Sequence, residues 1–263
     1  MTGAGAVAAI VLLAWAAGLI AGSAWVQTWS VVKRGHFRIV AWVGVGVVAL
    51  AAVTSLAATD LVEGGDAQRG LVFMFAGGVV VYLATQYRAD DVAAAIVGAI
   101  ACVVGILALV ATAGLLEGWP PLLSVPGVVS GAALLGLVTN GMLLGHWYLN
   151  QPGLKPWALA RLTAAALAAT ILSGVVGLAS AGRLIAAPTE GAALGLPGFG
   201  ENLGPAFFFV WVGLVGFTAA VLFGARRCIA IRSIQSATGL YYVAILTAGV
   251  AEFLVRYLMV GTA

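Results

Sequence analysis

The chain has 263 residues, of which 63% are apolar and 8% charged, with a formal net charge of +3 and a mean hydropathy of +1.12. Soluble domains carry about 25% charged residues, so this chain lacks the polar side chains needed to cover a water-exposed exterior. Its 12 Lys and Arg are scattered rather than gathered into a stripe, which speaks against nucleic-acid partners, and two Cys exclude a disulfide scaffold. What remains is an all-α polytopic membrane protein, because the apolar runs are continuous rather than alternating as in a β-barrel.

A transmembrane helix needs about 20 mostly apolar residues. Applied along the chain, that rule predicts eight spans, at residues 7–32, 37–57, 70–87, 92–116, 122–149, 157–184, 205–225 and 239–260, of which the third is the shortest. The first opens without a basic n-region and is too long for a signal-peptide core, so it reads as an uncleaved span. It carries the small pair Gly18/Gly22, then Gln27 and Thr28. A basic segment follows, Lys33-Arg34-Gly35-His36-Phe37-Arg38, which reads as a solvated loop around His36. The second span ends in the mildly polar Thr54 and Ser55, and the fourth holds Cys102 at mid-depth.

The fifth span is the richest in small pairs, with Gly127/Gly131 and Gly141/Gly145, and it places Asn140 in mid-membrane, where a buried amide is expected to bond to a neighbouring helix. It closes on Gly145-His146-Trp147. This triplet echoes Gly35-His36-Phe37 four spans earlier and hints at two four-helix bundles, residues 1–118 and 119–263, within one transmembrane domain. Between the sixth and seventh spans lies the apolar connection 185–204. It is expected either to fold over its own helix ends or to dock an extramembrane subunit. Cys228, at the end of the seventh span, lies at a different depth from Cys102, so no bridge is expected.

The connections after the first, third, fifth and seventh spans hold Lys33, Arg34, Arg38, Arg88, Lys155, Arg161, Arg226, Arg227 and Arg232, nine of the 12 basic residues. The opposite connections hold Arg69 and Arg183 together with Asp60, Glu63, Asp66, Glu117, Glu190 and Glu201. The positive-inside rule then places both ends of the chain outside the cytoplasm, in a cytoplasmic (inner) membrane.

Ionisable groups inside a span are costly and are functional candidates by default. Glu252 and Arg256 in the eighth span are spaced i,i+4, within ion-pair reach on one helix face. Tyr241, eleven residues earlier, returns to within about 20° of that face. The pair reads either as a structural pin or as a proton-accepting, quinone-binding carboxylate tuned by Arg256, with Tyr241 bonding a quinone carbonyl. His36 and His146 are the two histidines. Together they would suit axial ligation of one haem b, and His146 alone would suit quinone or proton uptake. No metal site other than that haem is expected.

The last span, Ala248-Gly249-Val250-Ala251-Glu252-Phe253-Leu254-Val255-Arg256-Tyr257-Leu258, resembles the closing helix of the NrfD-like and DmsC-like membrane-anchor subunits of polysulfide and dimethyl-sulfoxide reductases. Asn140-Gly141-Met142-Leu143-Leu144-Gly145 is similar to their Gly-rich middle helix, and Ala17-Gly18-Leu19-Ile20-Ala21-Gly22-Ser23-Ala24 to their opening one. The resemblance implies a hydrophobic subunit of a respiratory oxidoreductase complex. Such a subunit exchanges electrons and protons with menaquinone or ubiquinone, sits among membrane lipid, and anchors an extramembrane Fe–S subunit beside other subunits. Glu252 and Arg256 would then act at the reaction; Tyr241, His146, His36 and Asn140, read from the residues themselves, are the cofactor-site candidates. The alternatives are a membrane cytochrome b, a structural accessory subunit and a small-solute transporter.

Overall fold

The computed structural model describes residues 1, 3–88, 90–151, 153–187 and 203–263. Among these residues the regular structure is α-helix: α1 (Gly3–Gln27), α2 (Arg34–Thr59), α3 (Gly65–Arg88), α4 (Asp91–Gly114), α5 (Pro121–Asn150), α6 (Trp157–Ala179), the short α7 (Ala181–Ile185), α8 (Gly204–Ala230) and α9 (Ile234–Gly261). All but α7 are long and apolar enough to cross a bilayer, which makes this a multi-pass membrane protein. In hydrocarbon a helix keeps every backbone hydrogen bond within its own segment, so apolar runs of this length have little alternative to it.

Several helix ends differ from those expected. α1 stops at Gln27, and Gly35-His36-Phe37 opens α2 rather than closing α1. α3 starts at Gly65, five residues early, because the polar segment Asp66–Arg69 can still coil: Asp66 sits at the positive end of the helix dipole, and Arg69 reaches both Asp66 and Asp60. α8 continues to Ala230 and takes Arg226, Arg227 and Cys228 into the helix, since long basic side chains at a helix end extend their charge to the interface. Arg38 and Arg161 are helical too. Arg38 lies 4.5 Å from the Tyr87 ring centroid. Arg161 stacks 5.6 and 5.4 Å from Trp25 and Trp29. The expected sixth span divides at Ser180 into α6 and α7. Of the apolar connection 185–204, residues 188–202 lie outside the described residues.

The spanning helices pack as two rings. α1 touches α2 and α4, and α3 closes the ring between α2 and α4; α5, α6, α8 and α9 repeat that order of neighbours. The rings dock mainly through α1 on α5, with α9 against α1 and α4 against α5. At that seam the backbones touch. A Cβ on Gly18 would overlap the Ala132 carbonyl, and one on Gly136 would overlap the Gly18 backbone. Small residues permit this approach, and the gain is dispersion, since lipid tails are as apolar as the helix surfaces. Asn140 secures the seam by donating from Nδ2 to the Leu19 carbonyl of α1 at 2.9 Å and to Gly136 O at 2.8 Å. The two Gly-His-aromatic triplets also meet here, with Gly35 under the Trp147 ring and His36 6.0 Å from it. They open one helix and close another, so they are not equivalent positions of a repeat.

With eight spans, Met1 and Ala263 lie on one face, here called the terminal face. The other, the basic face, carries most of the Lys and Arg.

Candidate functional site

Each ring keeps polar groups in an apolar interior, and the two do so differently. Near the basic face of the first ring, Ser23 bonds Tyr82 Oη at 2.9 Å, Tyr82 donates to Gln27 Oε1 at 3.0 Å, and the amides of Gln27 and Gln86 bond each other at 2.9 and 3.3 Å. Toward the terminal face Gln68 donates to Thr112 at 3.1 Å and Ser55 at 3.4 Å. These groups are uncharged. In the second ring the corresponding depth near the terminal face holds an ion pair.

Glu252 and Arg256 of α9 are each about 1% exposed. Arg256 Nη2 donates to Glu252 Oε2 at 2.7 Å and to the Gly127 carbonyl of α5 at 2.8 Å, while Nη1 points to Met259 Sδ at 2.8 Å. Ser173 Oγ of α6 donates to Glu252 Oε1 at 3.2 Å. The pair therefore joins α5, α6 and α9. Mutual neutralisation offsets the cost of burying two charges, and the serine and carbonyl satisfy further lone pairs and protons.

The small pairs of α5 make the room. α5 and α9 run antiparallel in step, with Gly127 facing Arg256, Gly131 facing Glu252 and Arg256, Gly141 facing the Tyr241 ring and Gly145 facing Thr238. A helix repeats its face about every 3.6 residues, so glycines at these spacings form one groove along α5. Side chains of α9 lie in it.

Beside Arg256 is a cavity of about 10 Å³ lined by Gly127, Ser130, Ser173, Ser180 and Trp211. Arg256 and Trp211 both line it, and each carries a buried N–H group, Arg256 Nε and Trp211 Nε1, with no hydrogen-bond partner among the described residues. Trp119 and Leu184 line it as well. Trp119 Nε1 donates to Met259 O and Thr262 Oγ1, both at 3.0 Å, and Arg183 stacks 5.5 Å from its ring.

A separate apolar groove runs along α1. One part, about 250 Å³ between α1, α4 and α5, adjoins a second of about 440 Å³ between α1 and α4, and they share Ala21, Trp25 and Cys102. Small residues floor it, and Trp25, under the Arg161 guanidinium, stands along it.

The other sequence candidates are distributed rather than gathered. Tyr241 shares a face with Glu252 but lies about 16 Å away along the helix axis. It is buried and donates to Thr163 at 2.8 Å, so it does not line the Glu252 cavity. His36 is buried against Phe37 and Trp147, not solvated: neighbours in sequence diverge on a helix surface, so Arg34 and Arg38 point elsewhere. His146 is exposed. The structure thus buries one histidine and exposes the other. Asn140 bonds α1, as described. Cys102 and Cys228 are both free.

The sequence reading missed Ser173, Trp211 and the first-ring network. The i,i+4 pairs Ser23/Gln27 and Tyr82/Gln86 were an available signal for the last, while a serine or tryptophan among apolar residues gives none. No protein-family model, curated protein or solved structure matches the chain.

Proposed function

We propose that this chain is a membrane-integral, quinone-exchanging subunit of a respiratory oxidoreductase complex in the cytoplasmic membrane, with Glu252 as its proton-accepting group and an Fe–S subunit as its extramembrane partner. The observation that carries this reading is the buried Glu252–Arg256 pair beside a cavity whose lining includes two N–H donors unpartnered among the described residues. A charge inside a membrane span is costly, about 2.5–3.5 kcal/mol at the helix centre on insertion scales, so its retention calls for a reason. At about 10 Å³ the cavity beside Arg256 does not admit a quinone ring. The groove along α1 has the length and apolar lining for an isoprenoid tail, so the proton group and the quinone would occupy different places.

A second reading has its own observation. The pair ties α5, α6 and α9 together, and Gly127 and Gly131 are shaped to it, which suits a structural clamp in an accessory subunit.

The test is Glu252→Gln in the intact complex, scored for assembly and then for quinone-linked turnover. Normal assembly with lost turnover supports proton handling; normal assembly with normal turnover overturns it. If the Gln variant does not assemble, Glu252→Asp retains the titrating group one methylene back. A proton group then shows a shifted pH–rate profile in an assembled complex, whereas a clamp shows an unchanged one. Quinone extracted with the purified complex, and lost when Ala21→Leu narrows the groove, tests the other half of the reading.

A further inference from the structure

We propose that the cavity beside Arg256 is a binding site for a single water molecule, held by Arg256 Nε and Trp211 Nε1, which relays protons between the terminal face and Glu252. The proposal rests on the proton-handling reading of Glu252.

The size fits one water: such a site needs about 10–15 Å³, and the cavity measures about 10 Å³. The hydrogen-bond inventory fits as well. A buried water commonly has two to four polar partners. Arg256 and Trp211 are each about 1% exposed, and both line the cavity. Their Nε and Nε1 groups are donors without acceptors among the described residues, and these atoms cannot accept. Two donors match the two lone pairs of one water. The water's own hydrogens then need acceptors, and hydroxyl oxygens are at hand. Ser130 donates to Gly127 O, Ser180 to Val176 O, and Ser173 to Glu252 Oε1, which leaves a lone pair free on each Oγ. An ammonium or a metal ion would face two N–H donors, one of them cationic, so the site disfavours a cation.

The placement makes a path. Ser180 caps the end of α6 at the terminal face, and Ser173 bonds the carboxylate. In the relay the water releases the Trp211 Nε1–H bond, which frees a lone pair to take one proton from the Ser180 side, and that bond re-forms when the water has passed a hydrogen on. A hydrogen of the water passes to Ser173 Oγ, and the Ser173 hydroxyl hydrogen passes to Glu252 Oε1. Only O–H bonds form and break, no electron moves, and the water is regenerated with the incoming hydrogen.

The experiment is infrared difference spectroscopy of the intact complex across a pH step, in ordinary and in heavy-oxygen water. The Glu252 carboxyl band is assigned by its loss in Glu252→Gln. The wild type is expected to show a water O–H band that moves in heavy-oxygen water. That band should disappear in Trp211→Phe, which removes one donor, and in Ser180→Thr, which fills the space; in both, protonation of Glu252 should slow. No heavy-oxygen-sensitive band, or the same band in both variants, overturns the water site. A band lost in both variants while the Glu252 carboxyl is silent and Glu252→Gln turns over normally upholds the site and overturns the proton role beneath it.

Discussion

Gly131 of α5 lies so close under the Glu252 carboxylate that no Cβ fits between them. The charge in α9 and the absence of a side chain in α5 are one device. Gly131→Ala is therefore expected to destabilise the protein by about 1–3 kcal/mol, the usual range for overpacking. Gly46, which has open space around it, provides the control: Gly46→Ala should be neutral or slightly stabilising through helix propensity. Thermal unfolding in detergent compares the two, and equal effects would contradict the close fit.

The ion pair should behave as a unit. Removing one partner of a buried pair leaves an uncompensated charge and costs about 3–5 kcal/mol. Arg256→Met alone is expected to show a loss of that order. Adding Glu252→Gln to it should recover most of the loss, because the double variant buries no charge. A double-mutant cycle on unfolding measures this coupling, and strict additivity would mean that the two residues do not interact.

At the seam between the rings, steric fit should outweigh hydrogen bonding. Asn140→Ala removes two donations, and interhelical hydrogen bonds in membranes average about 0.6 kcal/mol. Gly18→Ala instead drives a methyl into the Ala132 carbonyl and must separate α1 from α5. The expected order is a severe loss of folded protein for Gly18→Ala and a mild one for Asn140→Ala, read as monodisperse yield. The reverse order would locate the seam's stability in the amide.

Orientation gives a fourth test. Arg232 lies in the turn between α8 and α9, on the basic face. A reporter fused after Arg232 should report the cytoplasm and one fused after Ala263 the outside, following the positive-inside rule. A cytoplasmic reading at Ala263 would invert the protein and move Glu252 to the other leaflet.

The spans were legible because lipid leaves an apolar run little choice but helix. Their ends were less so. The start of α3 was missed because hydropathy stops at polar residues, while Asp66 and Arg69 are satisfied by the helix dipole and by each other. Glu252 and Arg256 stood out because they are charges in an apolar stretch. Their surroundings did not: Ser173 and Trp211 arrive from α6 and α8, and only the packing of those helices brings them to Arg256. The glycine pairs announced close contact without naming what they face. His36 was misplaced because it was judged by its basic neighbours in sequence, whereas the first turn of α2 rotates it inward onto Trp147.

The backbone contact between Gly18 and Gly136 also bears on how the protein is made. Gly136 emerges from the ribosome more than a hundred residues after Gly18, a delay of roughly 6–24 s at about 5–20 residues per second. During that interval α1 can already meet α2 and α4, but the face it will present to α5 has no counterpart yet in the bilayer. The first ring must therefore hold together while its opening helix waits, and its buried Tyr82–Gln27–Gln86 bonds are positioned to keep α1 upright against α3 until the fifth helix arrives.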